Sequence, residues 1–231
     1  MPANHLLLSC EHGGNRVPAE FSRLFRGQDA MLATHRGYDI GALEAARYLR
    51  DQLQLPLISA TVTRLLVDLN RSPGHPRRFS EFTRDLDAPI RDSILQRYYD
   101  PYRRQVETQV AEGVAGRGRV FHLSVHSFVP ALDGRERSCD IGLLYDPSRP
   151  LELAFCRDWQ QRLQVLAPEL VVRRNYPYRG VADGLVTFLR KRFGPRQYAG
   201  IELEINQRLA QAGGKPWRRL MKVLAASLQH L

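Results

Sequence analysis

The chain has 231 residues and a formal net charge of +10 at pH 7, with 43% hydrophobic and 25% charged residues. This composition is typical of a soluble globular protein and is too apolar for a disordered chain. No apolar run approaches the ~20 residues of a membrane span, and the longest run near the N-terminus is too short for a signal-peptide core. We therefore expect a cytoplasmic protein that does not bind membranes.

The positive charge comes almost entirely from arginine, because only three of the 34 basic residues are lysines. Arginine binds carboxylates and phosphates well, so the charge suits nucleic acid or an anionic small molecule. The arginines are spread through the chain, however, with no helix-turn-helix, zinc finger or basic motif interleaved with aromatic residues. We expect a small-molecule partner and no nucleic acid, with most of the charge on the surface. A non-catalytic protein that binds anions or nucleic acid is the alternative.

Three cysteines occur, Cys10, Cys139 and Cys156, and no two of them form a Cys-x-x-Cys pair. This spacing speaks against a disulfide framework and against a zinc ribbon. A metal site in this chain would have to use histidine and carboxylate ligands.

The hydrophobic pattern predicts strands that alternate with helices in one domain, residues 1–231. The predicted strands are residues 5–9, 57–63, 64–67, 120–125, 141–145, 170–173 and 199–205. Apolar residues at helical spacing predict helices around residues 43–53, 90–110, 155–163 and 217–228. Pro101 should kink or split the second of these helices near Asp100. The alternation is typical of an α/β sandwich around a mixed, mostly parallel sheet.

Ligands in such folds bind beyond the carboxyl ends of the strands. After the first predicted strand come Glu11, His12, two glycines and Asn15, and the glycines would let the backbone close around a ligand. His126 lies at the end of a later predicted strand, on the same face as His122. Because His122 lies about 13 Å back along that strand, it is more typical of a core histidine. His12 and His126 are therefore the candidate metal ligands.

Carboxylates accompany these histidines. Alternation in the predicted strand 199–205 places Glu202 and Glu204 on one face. If that strand is central, Glu204 near its end is a candidate general base, because a buried carboxylate is costly without a partner. If it is an edge strand, both carboxylates are solvated. Asp39 precedes the helix that begins near Gly41, where it could cap that helix or supply a carboxylate to the site.

Polar loops follow two other predicted strands. Asn70 and Arg71 offer an amide and a cation that suit a bound carboxylate or a developing oxyanion. A turn in which Asp68 pairs with Arg71 is equally compatible with this segment. A later loop carries Tyr178 and Arg179, a phenol and a cation that a ligand could reach.

Taken together, these segments resemble the N-formylglutamate amidohydrolase family. No single segment is specific for this family, but the full set of segments in this order is. The matching pieces are Glu11-His12-Gly13-Gly14-Asn15 with Pro18, Gly37-Tyr38-Asp39-Ile40-Gly41, Val67-Asp68-Leu69-Asn70-Arg71-Ser72, His126-Ser127-Phe128, Asp140-Ile141-Gly142-Leu143-Leu144-Tyr145, Asn175-Tyr176-Pro177-Tyr178-Arg179-Gly180 and Ile201-Glu202-Leu203-Glu204-Ile205-Asn206-Gln207. The resemblance implies a three-layer αβα sandwich similar to that of zinc carboxypeptidases. It also implies one zinc ion per chain and amide hydrolysis by an activated water.

One departure concerns the third metal ligand. Carboxypeptidase-like enzymes carry His-x-x-Glu in their first metal loop, whereas the same spacing from His12 reaches Asn15, a weak neutral ligand. The resemblance of residues 37–41 to the second acidic motif of the family makes Asp39 the third ligand beside His12 and His126. Glu11 and Asn15 are the alternatives.

The remaining roles follow from the same resemblance. Glu204 is expected to act as the general base, and Arg71 to stabilise the oxyanion or to bind a substrate carboxylate. Asn70, Arg71, Tyr178 and Arg179 are expected to bind the substrate. The implied reaction, a step of histidine degradation, converts N-formylglutamate to formate and glutamate, and the alternative substrate is another N-acyl amino acid or small amide. The sequence leaves open the oligomeric state and the working metal ion.

Overall fold

The computed structural model describes residues 4–116 and 118–229. Its strands are β1 Asn4–Cys10, β2 Leu57–Ser59, β3 Arg119–Phe128, β4 Ala131–Leu132, β5 Arg135–Glu136, β6 Ile141–Leu144, β7 Val172–Arg174 and β8 Tyr198–Asn206. Six of them form one sheet in the order β2-β1-β3-β8-β6-β7, and β4 and β5 form a separate hairpin. Within the six-stranded sheet, neighbouring strands are parallel except β6 and β8, which are antiparallel. The predicted mixed, mostly parallel sheet is confirmed.

Helices cover both faces of this sheet. They are α1 Asp29–Leu32, α2 Ala42–Leu53, α3 Ala88–Ile94, α4 Asp100–Ala115, α5 Pro150–Leu166, α6 Leu185–Arg190, α7 Gln207–Ala212 and α8 Gly214–Leu228, with a 3₁₀ segment at Ala19–Phe25. Helices α2, α5 and α8 pack together on one face, and α4 and α6 pack on the other. The predicted αβα sandwich is therefore confirmed. Within the described residues, no helix has both the length and the apolar character needed to cross a bilayer.

Side-chain alternation along the central strands divides the core into two layers. In β3, Leu123 and Val125 join the core cluster that contains Trp159 of α5, whereas Val120 joins the opposite cluster with Val106 of α4. His122, Ser124 and His126 of β3 share the face of Val120, because strand residues two apart point the same way. The sheet therefore directs these polar groups towards the α4 layer.

Two predicted strands are wrong in whole or in part. Residues 64–66 form a turn instead of a strand, and the apolar residues Leu65, Leu66 and Val67 are buried as irregular chain against the α4 layer. A short buried loop has the same apolar pattern as a short buried strand, which explains the error. The predicted strand 57–63 ends at Ser59, beyond which Val62 forms one isolated bridge to Arg16.

The predicted break at Pro101 takes the form of a change in helical type. The π-helical segment Leu95–Tyr99 joins α3 to α4, and Pro101 lies in the first turn of α4. A proline lacks the N–H that would bond four residues back, and a wider turn before it accommodates the missing bond.

The sheet brings the carboxyl ends of β1, β3 and β8 to one edge. Strand β8 lies between β3 and β6, so the edge-strand interpretation is wrong, and Glu204 lies beside His126 of β3 and Gly142 of β6. Gly142 is required here because a Cβ at this position would lie 2.1 Å from the Tyr176 carbonyl oxygen. The close packing holds the chain after β7 against β6.

Candidate metal centre

Three buried side chains from separate segments converge at this edge of the sheet. His12 follows β1, Asp39 lies in the loop before α2, and His126 lies near the end of β3. Each offers one potential ligand atom, and these atoms all lie within 4.8 Å of one another. The structure thus brings together the three residues that the sequence proposed as metal ligands.

The donor atoms fit a divalent metal ion. Nδ1 of His126 lies 2.8 Å from Oδ2 of Asp39, and Nδ1 of His12 lies 3.4 Å from the same oxygen. Nδ1 of His12 is buried and makes no hydrogen bond within the described part of the chain. A buried nitrogen without a partner is costly, and a metal ion would satisfy it. Two imidazoles and one carboxylate are also a donor set of catalytic zinc sites.

The second nitrogen of each histidine contacts another carboxylate. Nε2 of His12 lies 2.7 Å from Oδ1 of Asp68. Nε2 of His126 lies 3.1 Å from Oε2 of Glu11 and 2.9 Å from Oγ of Ser124. Carboxylates in this position fix the tautomer and the orientation of metal-binding histidines. From the sequence, the only role predicted for Asp68 was that of a partner of Arg71.

The two alternatives for the third ligand are engaged elsewhere. Glu11 accepts a hydrogen bond from the Tyr102 hydroxyl at 2.7 Å, and its other oxygen faces His126. The Asn15 side-chain amide donates to a backbone carbonyl at 3.0 Å. Helix α2 has Gly41 at its N-cap and no side-chain cap, so the Asp39 carboxylate is not used for capping. The geometry favours Asp39 over both alternatives.

Electrostatic coupling keeps these acids ionised. Burial alone would raise the pKa of Asp39 and of Glu11, but His12 beside Asp39 and His126 beside Glu11 hold both pKa values below their ordinary range. Burial also opposes the charged form of His126, but its hydrogen bonds to the two acids raise its pKa well above the ordinary value. The concentrated negative charge would attract a cation.

Two further carboxylates extend from β8 into the same pocket. Glu204 is 7% exposed, and its Oε2 makes no hydrogen bond within the described residues. Burial raises the pKa of Glu204 to about 8. Glu202 accepts a hydrogen bond from Nδ2 of Asn70 at 3.3 Å, and burial raises its pKa as well. Glu204 thus has a carboxylate oxygen available to a ligand.

The pocket has a volume of about 360 Å³, and arginines line it beside the acids. Nη1 of Arg71 donates to the Asp183 carbonyl at 3.2 Å, and its Nε is 4.0 Å from Asp68, so the predicted turn pairing is a long contact. Tyr178 and Arg179 are exposed at the pocket wall, where the Tyr178 hydroxyl accepts a hydrogen bond from another arginine.

Asn70 lies in the pocket wall with both ends of its amide engaged. Its Nδ2 donates to Glu202, and its Oδ1 accepts from the Leu185 backbone N–H at 2.6 Å. These bonds tie the loop that carries Arg71 to β8 and to α6. Arg64 also lines the pocket. The sequence pattern predicted a strand at this residue and indicated no functional role for it.

Comparison with known proteins gave one family and several structures. The N-formylglutamate amidohydrolase family model matches residues 4–210. The crystal structure of gene product Atu2144 from Agrobacterium tumefaciens is 29% identical, with a TM-score of 0.76 over 96% of this chain and 90% of that chain. N-formylglutamate amidohydrolase from Ralstonia eutropha JMP134 is 20% identical, with a TM-score of 0.69 over 98% and 92% of the two chains. This second likeness supports the fold.

A metallo-carboxypeptidase from Burkholderia cenocepacia is 10% identical, with a TM-score of 0.37 over 98% of this chain and 56% of that chain, and adds nothing to the assignment. A search of curated protein sequences gave no match. The family match covers most of the chain and includes each motif on which the resemblance was based. The chain therefore belongs to the N-formylglutamate amidohydrolase family, and it is a hydrolase that acts on an amide bond.

Proposed function

We propose that this protein is a zinc-dependent amidohydrolase that hydrolyses the amide bond of N-formylglutamate or of a similar acidic N-acyl amino acid. The products are the free amino acid and the carboxylate of the acyl group, which is formate for N-formylglutamate. The observation that carries this proposal is the convergence of His12, Asp39 and His126 in a pocket that also holds the unpartnered carboxylate oxygen of Glu204. We further propose that the whole chain acts as one domain in the cytoplasm.

His12, Asp39 and His126 would hold the ion, with Asp68 and Glu11 orienting the two histidines. A bound zinc ion would act as a Lewis acid and would lower the pKa of water at the site to about 7. Imidazole and carboxylate ligands suit zinc, and the narrow spacing of the three donors suits a single ion.

Glu204 would move the proton of the reaction. Its Oε2 would accept a proton from the attacking water and deliver it to the nitrogen that leaves as an amine. Burial raises the pKa of Glu204 to about 8, which favours the protonated form that donates to the leaving nitrogen. A metal cation bound beside Glu204 would lower this pKa and favour the ionised form that accepts the proton of the water. No hydrogen bond within the described residues has to break for Oε2 to do this.

Arginines would bind the acidic substrate. Arg71 would stabilise the oxyanion of the tetrahedral intermediate or bind a substrate carboxylate, because its guanidinium can donate two parallel hydrogen bonds. Arg179 and Tyr178 would contact the remainder of the acidic tail, since a dianion needs more than one cation. Asn70 would act mainly by holding the Arg71 loop in place.

Replacing Asp68 by asparagine is expected to weaken zinc binding by about 10–100-fold, because the amide can no longer hold the His12 imidazole as a carboxylate does. Competition with a chromophoric chelator measures the affinity. Asp183→Asn is the matched control, since Asp183 lines the same pocket but bonds to the Ser72 backbone instead of to His12 or His126. Equal zinc affinity of Asp68→Asn and the wild-type protein would contradict the role given to Asp68.

A substrate panel tests the proposed activity. N-formyl, N-acetyl and N-succinyl derivatives of glutamate and of neutral amino acids are incubated with zinc-loaded protein, and free amino acid and formate are measured. The proposal expects the highest kcat/KM with N-formylglutamate. Turnover of another derivative without formate from N-formylglutamate would favour a different deacylase.

A further inference from the structure

Arg64 connects the two aspartates of the candidate metal centre. Its Nη1 lies 3.1 Å from Oδ1 of Asp39, and its Nη2 lies 2.9 Å from Oδ2 of Asp68. Both aspartate side chains are buried, and the Arg64 side chain is one-quarter exposed to the pocket. The guanidinium is planar, so one rigid group fixes both contacts at once.

The contact gives the two oxygens of Asp39 different surroundings. Oδ2 faces Nδ1 of His126 at 2.8 Å and Nδ1 of His12 at 3.4 Å, whereas Oδ1 accepts the bond from Arg64. A carboxylate with two free oxygens can bind a metal ion through one of them or through both. With Oδ1 engaged, Asp39 presents Oδ2 alone to the space between the histidines.

The two carboxylate oxygens of Asp68 also have different partners. Its Oδ1 faces Nε2 of His12 and accepts the Asn70 backbone N–H at 3.0 Å, whereas its Oδ2 is held by Arg64. The carboxylate behind His12 is thus fixed from both sides. One side chain therefore sets the orientation of a proposed ligand and of the group that orients another ligand.

Hydrogen bonds to the Gly37 carbonyl fix the position of the Arg64 backbone relative to Asp39. The Arg64 backbone N–H donates to the Gly37 carbonyl at 3.1 Å, and the Thr63 hydroxyl donates to the same carbonyl at 3.0 Å. Gly37 lies two residues before Asp39, so the turn that carries Arg64 and the loop that carries Asp39 are bonded together. This arrangement is preorganised within the chain itself.

We propose that Arg64 is a positioning residue that restricts Asp39 to a single metal-binding oxygen and holds Asp68 behind His12. This inference rests on the proposed metal site. Catalytic zinc sites use three protein donors and keep a further position open for water or substrate. By engaging Oδ1 of Asp39, Arg64 prevents a fourth protein donor from taking that position.

Cobalt(II) is the probe, because its visible d–d bands weaken as the number of ligands rises. Metal-free protein is reconstituted with one equivalent of Co²⁺ per chain, and the spectrum of Arg64→Ala is compared with that of the wild type. We expect a loss of band intensity in the variant, because Oδ1 of Asp39 becomes available. Arg77→Ala is the matched control and should give the wild-type spectrum, since Arg77 lines the same pocket without bonding to Asp39 or Asp68 within the described chain.

A wild-type cobalt spectrum in Arg64→Ala would overturn the inference. If Arg64→Ala does not fold, as judged by circular dichroism, Arg64→Met provides the same test, because it keeps a long unbranched side chain but has no N–H that could hold Oδ1 of Asp39. Weakened bands in Arg64→Met are expected, and wild-type intensity there would be equally contrary. If the wild-type protein binds no Co²⁺, the proposed metal site fails and the role of Arg64 fails with it. That result differs visibly from cobalt binding with unchanged spectra.

Discussion

Glu204→Gln is expected to lower kcat for the N-acyl amino acid by about 10²–10⁴-fold while leaving metal content and fold unchanged. Glutamine has nearly the same shape but cannot accept the proton of the attacking water. Little structural contact is lost, because Oε2 of Glu204 has no hydrogen-bond partner within the described residues. Steady-state formate release, together with zinc analysis of the same sample, measures the effect.

Glu202→Gln is the matched control for this experiment. Glu202 extends from the same strand into the same pocket, but it accepts a hydrogen bond from Asn70. Replacing Glu202 should reduce kcat much less than replacing Glu204. If Glu202→Gln abolishes turnover and Glu204→Gln does not, the general base has been assigned to the wrong carboxylate of β8.

His126→Ala is expected to lose bound zinc and hydrolysis together, because it removes one of three proposed metal donors. Elemental analysis of protein purified without a metal-affinity tag measures the zinc. His122→Asn is the control: His122 shares the strand and face of His126, but its nitrogens bond to Ser9 and Tyr198. This control should keep its zinc, whereas full retention of zinc by both His12→Ala and His126→Ala would contradict the site.

Periodicity explains why much of the fold could be predicted from the sequence. Alternation in β3 and β8 separates apolar from polar side chains because the two faces of the sheet meet different helices. Position along the strand distinguished His126, at the carboxyl end, from His122, which lies on the same face within the sheet and bonds to neighbouring strands. The family motifs then predicted His12, Asp39 and His126 as one set of metal ligands.

The supporting groups of the site could not be predicted in the same way. His12 and Asp68 are 56 residues apart, and their contact depends on how the irregular chain after β2 folds back over the sheet. Arg64 begins an apolar run that has the pattern of a strand, and only the turn at residues 64–66 directs its side chain to Asp39 and Asp68. Contacts of this kind have no local periodicity from which to infer them.

Some of the arginines that produce the net positive charge have structural roles, which the composition does not reveal. Arg103 is buried, and its Nη1 donates to the carbonyls of Leu69 and Arg71, so it supports the loop that carries Arg71. Arg149 and Arg190 form a buried network with Glu152 and with backbone carbonyls. Several arginines therefore bond to backbone carbonyls inside the protein instead of adding to the surface charge.

Removal and stepwise return of the metal tests the proposed chemistry most directly. Protein stripped with a chelator is titrated with Zn²⁺, and formate release from N-formylglutamate is measured at each addition. We expect no turnover in the metal-free protein and a linear recovery that ends at one zinc ion per chain. Full turnover by protein shown to contain no metal would contradict the metal centre of His12, Asp39 and His126.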